Sequence, residues 1–342
     1  MLNTEHRRPR QQQKQLHPQP WLHFIAGGVG GTAGAVLTCP LEVVKTRMQS
    51  SLYRHASSHS RPSLLLRPFR PFLDIGHILS AFYRKEGFSA LFKGLGPNLV
   101  GVIPSRAIQF AVYGNGKEML ASMNGGRESS LIHLTAAASA GICTATVTNP
   151  IWLVKTRMQL QASTANPAMR PYKNSFDCVV QVVRNEGVRG LYRGLSASYL
   201  GVTEGALQWV IYERCKRFVR ERHGETTGTT AAAVAVSDHK EHWLEMLGAA
   251  AVAKLCAALI TYPHEVVRTR LREVSQRRYN GLFSTFATIW REEGFTALYG
   301  GLPAHLLRVV PNAAIMFFCY EAILAAARSR SMARELRDGD TA

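Results

Sequence analysis

One stretch occurs three times in this chain, and any fold it adopts has to repeat with it. Pro40-Leu41-Glu42-Val43-Val44-Lys45-Thr46-Arg47-Met48-Gln49 returns as Pro150-Ile151-Trp152-Leu153-Val154-Lys155-Thr156-Arg157-Met158-Gln159. It returns again as Pro263-His264-Glu265-Val266-Val267-Arg268-Thr269-Arg270-Leu271-Arg272. Each copy then crosses a polar, basic loop to an acid-Gly step and an aromatic-led Gly step. These read Glu86-Gly87 with Phe92-Lys93-Gly94, Glu186-Gly187 with Tyr192-Arg193-Gly194, and Glu293-Gly294 with Tyr299-Gly300-Gly301. A unit repeated in register argues for three alike modules that share one core.

The pattern proline-x-acid-x-x-base-x-base, followed by Glu-Gly and aromatic-base-Gly, resembles the mitochondrial carrier family. The resemblance runs from about residue 21 to about residue 330. It implies an all-α membrane protein: six transmembrane helices in three tandem repeats with pseudo-threefold symmetry, plus three short matrix-side helices. The expected division is a disordered segment 1–20, repeat 1 at 21–123, repeat 2 at 124–222, a linker 223–240, repeat 3 at 241–330 and a tail 331–342.

Composition narrows the function classes. The 342 residues hold 41 Lys+Arg against 23 Asp+Glu, a net charge of +18. Such a balance suits nucleic acid, an anionic membrane surface or an anionic small substrate. No zinc finger, stacking motif or Lys/Arg block outside the N-terminus speaks for nucleic acid. A soluble, basic, nucleic-acid-binding helical protein is the reading from another class, and Gly/Ala runs with prolines at fixed places fit it poorly. No nucleophile-base arrangement, metal cluster or P-loop points to an enzyme. Cys39, Cys143, Cys178, Cys215, Cys256 and Cys319 form no CxxC pair, so free thiols are expected, with no metal and no cofactor.

Mean hydropathy is only −0.06, and no run of about 20 purely apolar residues exists. Yet 24–38, 131–148 and 243–262 are rich in small residues and nearly uncharged. Small residues about four apart let helices approach closely in lipid. Helices that line a water-filled cavity carry polar residues on one face. Long helices are expected over 21–50, 97–123, 129–161, 196–221, 241–273 and 303–327, with short amphipathic ones over 74–85, 175–185 and 283–292. Gly27, Gly28, Gly30, Gly31 and Gly34 offer a flat surface to a neighbour. The basic loop 51–71 reads as exposed, and the tail from Arg328 as frayed. Residues 1–20 carry Arg7, Arg8 and Arg10, but Glu5 and the lack of an apolar face argue against an amphipathic presequence. The resemblance implies import by internal signals.

Glu42 and Lys45 stand three apart, so a plain intrahelical pair is one reading. The family pattern implies the other, in which the acid of one copy meets the base of the next: Glu42 with Lys155, and Glu265 with Lys45. These pairs would close a cavity on the matrix side, braced by Gln49 and Gln159. The third brace position holds Arg272. Copy two carries Trp152 where the acid belongs, which leaves Arg268 without a carboxylate from that copy. The Trp ring can cover a cation for about 0.5–2 kcal/mol, or simply pack. At the opposite, cytoplasmic gate the family pattern is aromatic-acid-x-x-base. Tyr212-Glu213 with Lys216 fits it, Tyr113 with Lys117 lacks the acid, and Tyr320-Glu321 lacks the base. Lys117 with Glu321 is then the one complete pair, so a protein resting open to the cytoplasmic side is expected.

The resemblance sets central substrate contacts near Gly101, Gly201 and Arg308. Arg308, Lys254 and Arg106 are cations inside apolar helices, each able to hold a phosphate or to form a structural ion pair. Gly101 and Gly201 leave room for a flat base, while Glu204, Gln109, Gln208 and Asn98 can read base or ribose edges or merely pack. The glycines that start long helices, Gly94, Gly194 and Gly301, present backbone donors able to bind phosphate. The resemblance implies cardiolipin there, and a plain turn glycine is the other reading.

Thr38-Cys39-Pro40-Leu41-Glu42, Gly101-Val102-Ile103-Pro104-Ser105-Arg106 and Tyr262-Pro263-His264-Glu265 look most like the pyrimidine-nucleotide carriers of that family. That likeness implies exchange of UTP, CTP or TTP and their di- and monophosphates. The alternative is a carrier of folate, FAD, NAD or another nucleotide cofactor. It further implies a monomer in the mitochondrial inner membrane, multi-pass, with both termini in the intermembrane space and no nucleic-acid partner.

Overall fold

A computed structural model describes residues 20–51, 70–161, 172–222, 239–273, 279 and 281–339. The expectations for residues 1–19, for most of the 51–71 loop and for 223–238 lie outside the described residues. Every regular element among those described is helical: α1 (Pro20–Gln49), α2 (Arg70–Glu86), α3 (Leu95–Met123), α4 (Ser130–Leu160), α5 (Ser175–Glu186), α6 (Leu195–Arg222), α7 (His239–Arg272), α8 (Leu282–Glu293) and α9 (Leu302–Gly339). A short 3-10 turn links each amphipathic helix to the long helix after it.

Local chemistry sets these boundaries. Ser129 and Asn174 cap α4 and α5 by accepting from the backbone N–H of Ile132 and Asp177. Gly87, Gly187 and Gly294 end the amphipathic helices at φ 81°, 72° and 80°, a conformation that costs other residues strain. Pro40, Pro150 and Pro263 sit inside α1, α4 and α7, where each removes one backbone donor. α9 departs from expectation. Arg328 to Gly339 is helix rather than frayed tail, because Ala, Arg, Met, Glu and Leu are good helix formers and no Gly or Pro intervenes before Gly339.

Among the described residues, four helical stretches are long and apolar enough to cross a membrane: Ala26–Gln49, Ser130–Leu160, Gly248–Arg272 and Phe295–Ala327. α3 and α6 do not reach that hydropathy, since Arg106, Gln109 and Lys117, and Glu204, Glu213 and Lys216, interrupt them.

Two compact units are distinguished, Thr38–Val309 and the terminal segments Met1–Leu37 with Val310–Ala342. In the terminal unit Gly30 and Gly34 carry the close approach. A Cβ on Gly30 would lie 2.7 Å from the Met316 carbonyl, and one on Gly34 2.8 Å from Asn312 Oδ1. Gly27, Gly28 and Gly31 meet nothing within 4 Å. The expected five-glycine surface is therefore two residues one turn apart on one face.

The larger unit holds three similar cores. Val44 packs with Ile75, Phe82, Leu91 and Ala304. Leu153 and Val154 pack with Tyr172, Cys178 and Val182. Tyr262, Val266 and Val267 pack with Ile289 and Leu298. In each, the amphipathic helix lays its apolar face on the proline-containing helix. An arginine then ties the two together. Arg47 holds Glu86 through two hydrogen bonds of 2.7 and 2.8 Å, and Arg157 holds Glu186 through two of 2.6 and 2.9 Å. Arg270 reaches Glu293 at 2.8 Å. The same arginines stitch copies: Arg47 Nε donates to the Gln159 carbonyl at 3.0 Å, and Arg157 Nε to the Arg272 carbonyl at 3.1 Å.

The helix-starting glycines complete the stitching. Gly94, Gly194 and Gly301 lie at φ 78°, 77° and 79°. A Cβ there would stand 3.0 Å from the Lys155 carbonyl, 3.2 Å from that of Arg268 and 2.8 Å from that of Lys45. Each copy thus meets the motif of the next copy, and the third meets the first.

Candidate functional site

A cavity of about 670 Å³ opens inside the larger unit. All three motifs contribute to its lining, among them Gln49, Gln159 and Arg272. Motif periodicity explains the lining, because residues three and four apart share a helix face. Glu42, Lys45 and Gln49 from α1, Trp152, Lys155 and Gln159 from α4, and Arg268 with Arg272 from α7 all line it.

Both intercopy pairs are present. Lys155 Nζ stands 2.5 Å from Glu42 Oε1, and Lys45 Nζ stands 2.6 Å from Glu265 Oε2. Gln159 accepts from Thr46 and Gln49 from Thr269, each at 2.8 Å, so each glutamine joins its copy to another. Gln49 also donates to Tyr262 at 3.0 Å. Arg272 cannot copy this, because a guanidinium accepts no hydrogen bond. Instead it donates to Asn149 Oδ1 at 2.9 Å and Ser198 Oγ at 3.1 Å.

Arg268 meets a carboxylate that the intercopy scheme does not supply, Glu265 of its own helix, at 3.6 Å. The Trp152 ring covers Lys155, 5.0 Å away, and its indole N–H donates to Thr148 Oγ1. An i,i+3 position brings Trp152 to its own Lys155 before any residue of α7.

Two of the three central cations, Arg308 and Lys254, are ion-paired, and Arg106 is exposed. Arg308 pairs with Glu42 at 2.7 Å, so that one carboxylate serves two cations. Lys254 pairs with Glu204 at 2.7 Å. Glu204, Gln109 and Gly201 line the cavity, whereas Lys254, Arg106, Gln208 and Gly101 do not. Gly101 instead lets α4 approach, since its Cβ would fall 3.0 Å from Ile151 and 3.4 Å from the Trp152 ring. Asn98 is also elsewhere than expected: it accepts from Lys155 at 2.8 Å. Gly201 faces His264, whose Nε2 would stand 3.0 Å from a Cβ there.

Two cavity histidines escaped sequence reasoning. His305 Nδ1 accepts from Lys45 at 2.8 Å, and His264 makes a short contact with the Thr261 carbonyl. A signal existed: His305 lies one turn before Arg308, and His264 one turn before Arg268. Of the residues expected at the opposite gate, Lys117 pairs with Glu128 at 2.7 Å and Tyr113 bonds His133 at 3.0 Å. Lys216 lies 6.0 Å from the Tyr212 ring. Glu213 is half-buried, while Tyr320 and Glu321 belong to the terminal unit.

The six cysteines are free thiols, with Cys39 and Cys178 buried and Cys143 exposed.

Chemically, the site is a polar cavity with ion pairs that can break and re-form. Removing charges from water costs about as much as pairing them returns, so such pairs suit a gate better than a strut.

A family model described as "Mitochondrial carrier protein" matches residues 16–124, 126–223 and 239–330. The mitochondrial pyrimidine nucleotide transporter RIM2 of Saccharomyces cerevisiae is 48% identical over 92% of this chain and 89% of its own length. Solute carrier family 25 member 36 of Gallus gallus is 46% identical over 89% of this chain and 96% of its own. Solute carrier family 25 member 33 of Homo sapiens is 41% identical, covering 89% and 94%.

Proposed function

This chain belongs to the mitochondrial carrier protein family, and on that premise we propose that it exchanges pyrimidine nucleotides across the mitochondrial inner membrane. It is a transporter, not an enzyme. The observation that carries the reading is the polar cavity lined by the ion pairs Glu42–Lys155 and Glu265–Lys45, in a chain similar over most of its length to a named pyrimidine nucleotide transporter.

The mechanism is alternating access. Substrate entering the cavity lowers the barrier between a state with the motif pairs made and a state with them broken. Six helices span the membrane as three pseudo-threefold repeats, 21–123, 124–222 and 241–330. α3 and α6 are the polar pair, tolerated in lipid because a water-filled cavity takes their polar faces. The motif end faces the matrix, where the basic loops lie by positive-inside logic, and both termini face the intermembrane space. The opposite gate draws on Tyr113, Lys117, Tyr212, Glu213 and Lys216. The empty protein rests open to the cytoplasmic side, in keeping with both motif pairs being made. Arg308 and Glu204 meet the substrate in the cavity, with Gly201 making room for the base. Cardiolipin binds at the backbone donors beside Gly94, Gly194 and Gly301, and the protein acts as a monomer.

The test is uptake of labelled UTP by liposomes holding the purified protein, challenged with CTP, TTP, ATP, NAD, FAD and folate. Inhibition by CTP and TTP, with little by ATP or the cofactors, is expected. Uptake of FAD, NAD or folate with none of UTP would sink the pyrimidine assignment.

A further inference from the structure

The cavity holds more positive charge than its carboxylates can meet, and the excess is concentrated on one face of α7. Glu42 serves both Lys155 and Arg308. Glu204 is taken by Lys254. Glu265 stands 2.6 Å from Lys45 but 3.6 Å from Arg268, beyond hydrogen-bond reach. Arg272 is 6% exposed and is held by a neutral amide and a neutral hydroxyl. No carboxylate partners it among the described residues. Its Nε and that of Arg308 are buried without a hydrogen-bond partner.

Arg268 and Arg272 are one helical turn apart, on one face, and both line the cavity. Their spacing along the axis is about 6 Å, close enough for two long, flexible side chains to reach one phosphate chain. Arg268 also keeps 31% of its side chain accessible, so a ligand can reach it. Copies one and three supply a glutamate at the motif position that copy two fills with Trp152. The Trp152 ring is turned to Lys155 and offers Arg268 no negative charge.

We infer that Arg268 and Arg272 form a phosphate subsite of the cavity, in which a phosphoryl group of the substrate stands in for the carboxylate that Trp152 has replaced. The inference rests on the nucleotide reading and adds to it where the phosphate chain lies and which residues count its charges. Guanidinium groups bind phosphate oxygens through paired charge-assisted hydrogen bonds. A second and third phosphate therefore gain most from this stripe, and a monophosphate least. With a phosphate bound, Arg268 leaves Glu265 to Lys45 alone.

The test uses the full-length protein, reconstituted, with UMP, UDP and UTP as competitors of labelled UTP and as ligands in thermal-shift titrations. Arg268→Gln is expected to weaken UTP and UDP by about tenfold or more while UMP changes little, so that discrimination by phosphate number collapses. Arg268→Lys, which keeps a point charge, loses less. Trp152→Glu restores the motif acid of copy two to the cavity wall and is expected to weaken UTP as Arg268→Gln does, whereas Trp152→Gln removes the ring without adding charge and keeps the discrimination. An unchanged UTP-to-UMP ratio in Arg268→Gln, or equal losses in the Glu and Gln variants of Trp152, overturns the subsite. A wild-type protein that neither binds nor moves any of the three overturns the nucleotide reading itself.

Discussion

Glu42 Oε1 lies 2.5 Å from Lys155 Nζ and 2.7 Å from Arg308 Nη1, so one carboxylate of the first copy neutralises a cation from each of two other copies. Its side chain is 12% exposed. Glu42→Gln leaves two partly buried cations without a carboxylate, whereas Lys155→Gln leaves Glu42 with Arg308. Breaking a buried pair costs about 3–5 kcal/mol. Glu42→Gln is therefore expected to lower the thermal unfolding midpoint in detergent clearly more than Lys155→Gln. Equal losses would show that Arg308 does not use Glu42.

Gly301 should be the least replaceable of the helix-starting glycines. Its φ of 79° disfavours alanine, and the new Cβ would meet the Lys45 backbone carbonyl at 2.8 Å. At Gly94 the nearest atom, at 2.8 Å, is in the side chain of Gln159, with backbone next at 3.0 Å; at Gly194 the contacts begin at 3.1 Å. Gly96 meets nothing within 4 Å. Yield of folded protein and midpoint should fall in the order Gly301→Ala worst, then Gly94→Ala, then Gly194→Ala, with Gly96→Ala near wild type. A drop for Gly96→Ala matching that for Gly301→Ala would count against backbone contact as the cause.

The triple motif made the repeated helices legible, because spacing shows which residues share a face. The intercopy pairs and the glutamine braces were legible only through the family resemblance, since spacing alone allows Glu42 to pair with its own Lys45. Partners reached across copies by unrelated segments were not legible. Nothing near Arg47 in the sequence announces Glu86 as its partner, and Asn149 and Ser198 became visible as holders of Arg272 only in three dimensions. Glycine misled twice for the same reason. At Gly101 and in the run from Gly27, composition reveals closeness but not which neighbour is close.

Arg47 and Arg270 occupy equivalent motif places but differ in embedding. Arg47 makes a bidentate contact to Glu86 and donates to the carbonyls of Gln159 and Gln161. Arg270 makes one bond to Glu293, with its Nε and Nη1 unpartnered. Lysine can replace a single charged bond but not a fork. Arg47→Lys should thus destabilise by about 2 kcal/mol or more, and Arg270→Lys by less, in denaturation of the purified protein. The reverse order would contradict the contact pattern.

Cys178 lies on α5, fully buried, and burial pushes its thiol up to about 11. An acid whose pKa rises keeps its proton as pH rises through the usual thiol range, so little thiolate forms at pH 7. Relative to an ordinary thiol the thiolate fraction falls by about two orders of magnitude. Maleimide labelling followed by peptide mapping should find Cys178 unmodified in folded protein at pH 7 and modified after denaturation. Rapid labelling of the folded protein would show that α5 opens.

The most direct test of the transport account is exchange by the reconstituted protein. Liposomes are loaded with UTP or left empty, and labelled UTP is added outside. Uptake that depends on internal nucleotide, and that disappears in Glu42→Gln and Glu265→Gln, is the expected result of a cavity gated by the motif ion pairs. Uptake that is equal in empty vesicles and indifferent to both substitutions would contradict gated exchange.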